Sequence, residues 1–244
     1  MSKRFPYIVQ LRRDGVAFPP PEYALHNGLL ASGGTLRTDR LLNAYMNGIF
    51  PWYNEGMPIR WWCPHIRFII RPENIHVSKS MKKFMRLHDV SATVNGDFAD
   101  TIHRCRVTRE FNEGTWITDA MESAYKMLNR MGYAMSVESY IDGERAGGLY
   151  GVVIGKCFFG ESMYSSAENG SKIALIKLAE KLSAEGFLMI DCQFHTDHLV
   201  SMGGEEISWE EYRKLLDEGI EEAVRGSELL SYVRKRAMAE QLPL

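Results

Sequence analysis

Several features that would classify this chain quickly are missing from it. It has only four cysteines, Cys63, Cys105, Cys157 and Cys192, and none shares a C-x-x-C spacing. That argues against a disulfide framework or a zinc ribbon and for free thiols in a reducing compartment. No stretch is apolar for long enough to span a bilayer. Met1-Ser2-Lys3-Arg4-Phe5 leads into too short an apolar run for a signal peptide, so a cytoplasmic location away from membranes is expected. Excess positive charge is absent too. The net charge is -2 over 244 residues, so any nucleic-acid partner must be held by a local patch. There is no internal repeat and no low-complexity segment. What remains is an ordinary globular composition, 45% hydrophobic and 25% charged, with room for one large or two small domains.

The common catalytic signatures are also incomplete. Gly160-Glu161-Ser162-Met163-Tyr164 lacks the second glycine of a nucleophile elbow. His195 and His198, close to Asp191, Cys192 and Asp197, have no H-E-x-x-H context and no second ligand pair, so no metal is expected. The loop at 165–172 precedes a helix but is not the Q/R-x-x-G-x-G/A pyrophosphate loop of acetyl-CoA enzymes, which counts against acetyl-CoA as a cofactor.

The local signals that are present define an order of elements. After a proline cluster at Pro19, Pro20 and Pro21, Thr38 or Asp39 is expected to cap a helix that buries Leu41, Leu42 and Tyr45 and closes at Gly48. Trp52, Trp61 and Trp62 follow among prolines. Each has an N–H that needs a partner, so they form either a small aromatic core or the wall of a site. A domain boundary is expected around residues 62–72. Ser78 caps a helix on which Lys79, Lys82, Lys83 and Arg86 share one face, either a solvated surface or a phosphate-contacting one. Asn95 is expected to cap the next helix, and Thr118 or Asp119 the one after, with Met121, Tyr125 and Leu128 inward. Asp142-Gly143 signals a tight hairpin between two strands. Gly147, Gly148 and Gly151 leave the return strand bare enough for another backbone or a ligand to approach. A helix from Asn169 or Ser171 then leads into the apolar strand ending Ile190-Asp191-Cys192-Gln193. Ser208 and Glu211 form a capping box that opens the last long helix.

On the strand, a side-chain period of two puts Asp191 and Gln193 on one face. A buried carboxylate and amide need partners. Either they bond the neighbouring backbone or they face a ligand.

This order predicts an α+β chain: a small N-terminal α/β domain at residues 1–66, then a domain at 67–244 with a mixed, mostly antiparallel sheet and a C-terminal helix. The second domain resembles the N-acetyltransferase (GNAT-type) fold, in which a splayed sheet opens a cleft for an acyl donor. Such a likeness concerns shape, and function must come from the site.

A set of local patterns resembles one family, the leucyl/phenylalanyl-tRNA–protein transferases. The matching residues are Phe18-Pro19, Asn27-Gly28-Leu29-Leu30-Ala31, Gly48-Ile49-Phe50-Pro51-Trp52, Trp61-Trp62 with Pro64, and Gly114-Thr115-Trp116-Ile117-Thr118. They continue through Gly147-Gly148-Leu149-Tyr150-Gly151, Gly160-Glu161-Ser162-Met163, Glu168-Asn169 with Ser171-Lys172, and Ile190-Asp191-Cys192-Gln193. Any one of these is weak; in order, over most of the chain, they are specific. Cys63-Pro64-His65-Ile66 and Leu149 depart from the family pattern, as does the tail beyond about Gly219.

The resemblance implies acyl transfer without coenzyme A. Leucine, phenylalanine or methionine esterified to tRNA is the donor, and a protein with an N-terminal Arg or Lys is the acceptor. The product carries an N-terminal residue that marks it for N-degron degradation, and the enzyme is expected to act as a monomer. The resemblance places Trp52, Trp116, Tyr125, Leu149, Phe158 and Met163 round one cleft suited to an apolar side chain. Glu161 and Asp191 are candidate anions for the cationic acceptor, and Lys79, Lys82, Lys83 and Arg86 are candidate tRNA contacts. In one reading of the chemistry Asp191 orients Gln193, whose amide oxygen accepts a hydrogen bond from the attacking amine. In another, Asp191 only attracts the acceptor and the ribose hydroxyl handles the proton. A coenzyme-A-dependent acyltransferase of similar fold and a non-catalytic tRNA- or degron-binding module are the rival classes.

Overall fold

The computed structural model of the chain describes residues 8–112 and 115–240. Residues 1–5, read above for a leader, and Gly114 of the Gly-Thr-Trp motif lie outside these.

The first part of the chain builds a small sheet around one helix. It runs β1 (Val9–Leu11), β2 (Leu29–Gly33), α1 (Thr38–Met46), β3 (Phe50–Pro51) and β4 (Arg60–Trp62), with the strands ordered β1-β2-β4-β3. The cap of α1 is Arg37, not Thr38 or Asp39. Asp39 is instead engaged as a charge, pairing with Arg37 and with Arg236 from the far end of the chain.

The second part is a larger sheet covered on both faces. It begins β5 (Ile66–Ile70), α2 (Lys79–Leu87), β6 (Val90–Val94), α3 (Phe98–Asn112) and α4 (Asp119–Arg130). A meander follows, β7 (Ala134–Ile141), β8 (Glu144–Ile154) and β9 (Cys157–Ser165), and then α5 (Gly170–Ala184) and β10 (Met189–Gln193). The chain ends with α6 (Asp197–Ser201), β11 (Glu205–Ser208), α7 (Trp209–Gly226) and α8 (Glu228–Ala239). The strand order is β11-β5-β10-β9-β8-β7-β6, and only the β9–β10 pair is parallel. The architecture is therefore mixed α+β with mixed sheets.

Local chemistry accounts for many of the element ends. Ser78 and Thr118 accept the backbone N–H of Met81 and Met121, and the Ser208–Glu211 capping box is complete. Asp142 and Gly143 both take positive φ, 52° and 85°, as a two-residue hairpin with a right-handed twist requires. Asn95 does not cap α3. It sits at φ 52° and its side-chain oxygen accepts the Ser136 N–H, while Asp97 caps through the Asp100 N–H.

Alternation along the strands feeds two apolar cores. Tyr150, Phe159 and Met189 point to α1, α3, α4 and α7, whereas Leu149, Phe158 and Ile190 point to α5. The apolar side of α5, including Ile173, Ile176, Leu178 and Leu182, is fully buried, each side chain contributing about 1.5–3 kcal/mol. The bare positions on β8 are filled by the protein itself. A Cβ on Gly147 would lie 2.6 Å from the backbone of Gly170, and one on Gly151 would lie 2.5 Å from the Phe158 ring. The C-terminal tail forms a further helix, α8. Glu240 just beyond it accepts the N–H groups of Val16 and Ala17.

Two irregularities position the site. The β9–β10 pairing runs from Met189↔Cys157 to Asp191↔Phe159, after which β9 continues to Ser165 while β10 stops at Gln193. Register shifts lie beside this opening, one between Asp191 and Gln193 and one opposite Tyr150 and Gly151, which leaves Cys192 and Glu161 as the extra residues. Bulges of this kind bend a strand and re-aim side chains.

Candidate active site

A cavity of about 300 Å³ opens where β9 and β10 part. Leu149, Phe158, Met163, Leu175, Ile190 and Leu199 give it apolar walls, and Trp52, Trp116 and Phe194 form an aromatic rim. Trp52 is 40% exposed at this rim, with ring centroids 5.4 Å from Phe194 and 6.2 Å from Trp116. The two readings of the tryptophans are thus divided between residues. Trp61 is buried core, its N–H donating to the Gly33 carbonyl, while Trp52 and Trp116 line the cavity.

The polar groups of the cavity are concentrated at the two bulges. Gln193 stands at φ 66°, a left-handed conformation that a non-glycine residue adopts at a cost of about 1–2 kcal/mol. The turn is held by the Asp191 carboxylate, which accepts the Gln193 backbone N–H at 2.8 Å. The Gln193 amide Nε2 donates to Glu161 Oε1 at 3.0 Å. Glu161 also accepts the Tyr45 hydroxyl at 2.7 Å and the Tyr125 hydroxyl at 2.9 Å. Burial pushes the Glu161 carboxyl up to about 7, against the lowering effect of the two phenols and the amide. Burial likewise raises both phenols, reinforced by the neighbouring carboxylate, so they remain protonated donors.

Asp191 is placed differently from Gln193. It is fully buried behind the cavity wall rather than exposed to a ligand. Arg67 Nε and Nη2 donate to its two oxygens at 2.9 and 2.7 Å, and the Tyr212 hydroxyl donates at 2.8 Å. Burial alone would lower the Arg67 pKa; the Asp191 charge outweighs it and holds the guanidinium firmly protonated. Asp191 therefore cannot receive a cationic acceptor, and its bond goes to the backbone of Gln193, not to the amide. The physical reason is that Arg67, 124 residues away in sequence, together with the Tyr212 hydroxyl and the Gln193 N–H takes up both carboxylate oxygens.

The structure brings Trp52, Trp116, Leu149, Phe158, Glu161, Met163 and Gln193 together on the cavity wall. Tyr125 is not on that wall; it lies behind Glu161 and reaches the cavity only through it. Lys79, Lys82, Lys83 and Arg86 are exposed on α2, away from the cavity lining, and form no ion pair among the described residues. Sequence reasoning missed Tyr45, placed only in a buried stripe, and also Arg67, Tyr212, Phe194 and Thr196. None of them carries a local signal. Of the two histidines weighed as metal ligands, His195 packs edge-on against Phe68, whereas His198 lines the cavity with its Nε2 buried.

Among the described residues no helix is long and apolar enough to cross a membrane. Residues 69–217 match the family model described as leucyl/phenylalanyl-tRNA protein transferase, and residues 34–65 match the model of its N-terminal domain. The chain is similar to leucyl/phenylalanyl-tRNA–protein transferases of several bacteria. It is 48% identical to that of Pseudomonas entomophila, covering 84% of this chain and 92% of that one. It is 49% identical to that of Stutzerimonas stutzeri, covering 82% and 89%. Likeness to solved structures is weaker. The L-PGS structure from Bacillus licheniformis aligns with 62% of this chain and 50% of that one, at TM-score 0.38 and 12% identity, too low for a shared function to be read from it.

Proposed function

The chain belongs to the leucyl/phenylalanyl-tRNA–protein transferase family, and from that membership we propose a division of labour among its pocket residues. It is an aminoacyltransferase that works from aminoacyl-tRNA. The donor's leucine, phenylalanine or methionine side chain enters the apolar cavity between Leu149, Phe158 and Met163, with Trp52 and Trp116 closing the rim. The acceptor is a protein with N-terminal Arg or Lys, and the product enters N-degron degradation in the cytoplasm. Glu161, the carboxylate on the cavity wall, draws the cationic acceptor. Lys79, Lys82, Lys83 and Arg86 carry the tRNA backbone, and the enzyme works as a monomer.

The observation that carries this reading is the Gln193–Glu161 hydrogen bond at the edge of a mainly apolar cavity. A carboxylate can only accept, so the amide nitrogen of Gln193 faces Glu161 and its Oε1 is left for another donor. The attacking α-amine, with an ordinary pKa of about 7.7–8.0, is that donor. Held on Oε1, it is aimed at the ester carbonyl. The ester is already activated, so the work required is positioning and removal of one proton. Asp191 acts as a positioning residue that pins the Gln193 backbone. The side chain that orients the amide is Glu161.

The division into a small domain at 1–66 and a larger one at 67–244 belongs to the same proposal. Its support is the break between the two sheets at residues 63–65, one residue before the proposed boundary, which leaves Ile66 as the first residue of β5. A GNAT-type assignment for the larger domain is supported by the single parallel pair that parts at Asp191↔Phe159.

The test mixes the protein with radiolabelled leucyl-tRNA and a substrate beginning with Arg. Label should pass into RNase-resistant protein. Label that stays RNase-sensitive refutes the transferase reading, and isoleucyl- or valyl-tRNA reacting as fast as leucyl-tRNA refutes the pocket assignment.

A further inference from the structure

We propose that Glu161, held from behind by Tyr45 and Tyr125, is the group that carries the reaction's proton from the attacking nitrogen to the leaving ribose oxygen. The inference rests on the transferase reading above and gives Glu161 a chemical role besides attracting the acceptor.

The geometry puts the carboxylate where the proton is released. The oxygen and nitrogen of one carboxamide lie side by side, so an amine held on Gln193 Oε1 sits against the carboxylate held on Gln193 Nε2. Among the described residues, the other titratable groups near the cavity are less well placed. Both oxygens of Asp191 are taken by Arg67, Tyr212 and the Gln193 N–H. Burial raises the Cys192 thiol, which keeps it protonated. His198 also lines the cavity, but its Nε2 makes no hydrogen bond to Gln193 or Glu161.

The groups facing Glu161 come from several elements. Tyr45 approaches from α1 and Tyr125 from α4, and their hydroxyls are themselves 2.5 Å apart. Tyr150 of β8 stacks edge-on against Tyr125. Gln193 and Asp191 come from β10, the latter neutralised by Arg67 of β5. The two phenols fix the carboxylate without competing for its proton. Burial brings Glu161 to about 7, close to the amine's own value, which lets a proton move on and off without a large barrier in either direction.

The step balances without a further reactant. The neutral α-amine attacks the ester carbonyl carbon and the C–N bond forms. Glu161 takes one proton from the nitrogen. The bond from the carbonyl carbon to the ribose oxygen breaks, and the same proton passes from Glu161 to that oxygen. The products are an amide and a free tRNA 3′ end, and the carboxylate is regenerated.

Single-turnover transfer at saturating acceptor, followed from pH 5.5 to 7.5, tests this. Glu161→Gln should cut kcat about 100-fold or more and remove the limb near pH 7 from the kcat profile, leaving only the rise set by the amine's own pKa of about 7.7–8.0. Tyr45→Phe and Tyr125→Phe each strip one donor from the carboxylate and should move that limb to higher pH, a shift that loss of packing alone does not produce. Unchanged kcat with a raised KM for the Arg acceptor in Glu161→Gln overturns the proposal and leaves the transferase reading standing. So does a limb that stays in place in both tyrosine variants, which covers the case in which Glu161→Gln fails to fold. A wild-type protein that moves no label overturns both.

Discussion

The guanidinium of Arg67 closes on the carboxylate of Asp191 through two parallel hydrogen bonds, Nε to Oδ1 at 2.9 Å and Nη2 to Oδ2 at 2.7 Å, with both side chains out of solvent. The Arg67 plane also lies over the rings of Tyr212, at 4.4 Å, and Phe50, at 5.0 Å. This pair fastens the end of β10 to β5, and the fastened strand end presents Gln193 to the cavity.

Breaking that pair on one side leaves an uncompensated buried charge. Asp191→Asn should lower stability by about 3–5 kcal/mol, measured by chemical denaturation. The double variant Arg67→Met/Asp191→Leu should recover only part of that loss: the two apolar groups need no partner, but the Tyr212 hydroxyl and the Gln193 N–H lose their acceptor. A single variant as stable as the wild type would contradict the pair's role as the anchor of the strand end.

Gln193 separates stability from activity. Its φ of 66° favours glycine, so Gln193→Gly relieves backbone strain while losing one hydrogen bond to Glu161. Stability should stay within about 1 kcal/mol of wild type, the two effects being of similar size. Transfer at saturating donor and acceptor should fall by at least about tenfold, reflecting lost positioning of the amine. Wild-type rates in a stable Gln193→Gly protein would remove the amide from the mechanism.

Glu161 predicts a pH dependence of stability. Its folded-state pKa is raised, from 4.5 to about 7, so the folded protein holds this proton more tightly than the unfolded chain. The sign is the reverse of that for a salt-bridged carboxylate. The favourable contribution is full below about pH 4.5 and is lost as pH rises through about 7. Between pH 5 and 8 the wild type should lose stability relative to Glu161→Gln by at most about 3 kcal/mol, at roughly 1.4 kcal/mol per unit. Parallel stability–pH curves for the two proteins would show that the carboxyl is not perturbed by burial.

The basic face of α2 makes a prediction about salt. Replacing Lys79, Lys82, Lys83 and Arg86 by Ala should weaken use of full-length aminoacyl-tRNA and flatten its salt dependence. The expected change is a log–log slope reduced by about 0.7–0.9 for each phosphate that is no longer neutralised. A minimal aminoacyl-adenosine donor, which lacks the tRNA body, should be used as well as before. An unchanged salt slope with tRNA would leave these residues as a merely solvated face.

Much of the secondary structure was determined by short-range sequence. Ser78, Thr118 and the Ser208–Glu211 box each act within three residues of the helix end that they cap. Asp142-Gly143 sets its hairpin with two backbone angles. The helical period placed Met121, Tyr125 and Leu128 inward, where they are buried. The composition of the cavity wall was legible as well, through an ordered set of motifs.

Only the tertiary structure decided what those residues do to one another. The strand period put Asp191 and Gln193 side by side but could not reveal that Arg67 claims the first and Glu161 the second. Those partners lie 124 and 32 residues away. Nor does local sequence record the bulges at Cys192 and Glu161, which arise from the register between strands. Tyr45 read as an ordinary core position, and its hydroxyl acquires meaning only when α1 packs over β9 and α4. Propensity and period act over a few residues, whereas burial, charge pairing and proton affinity are set by whatever the fold brings alongside.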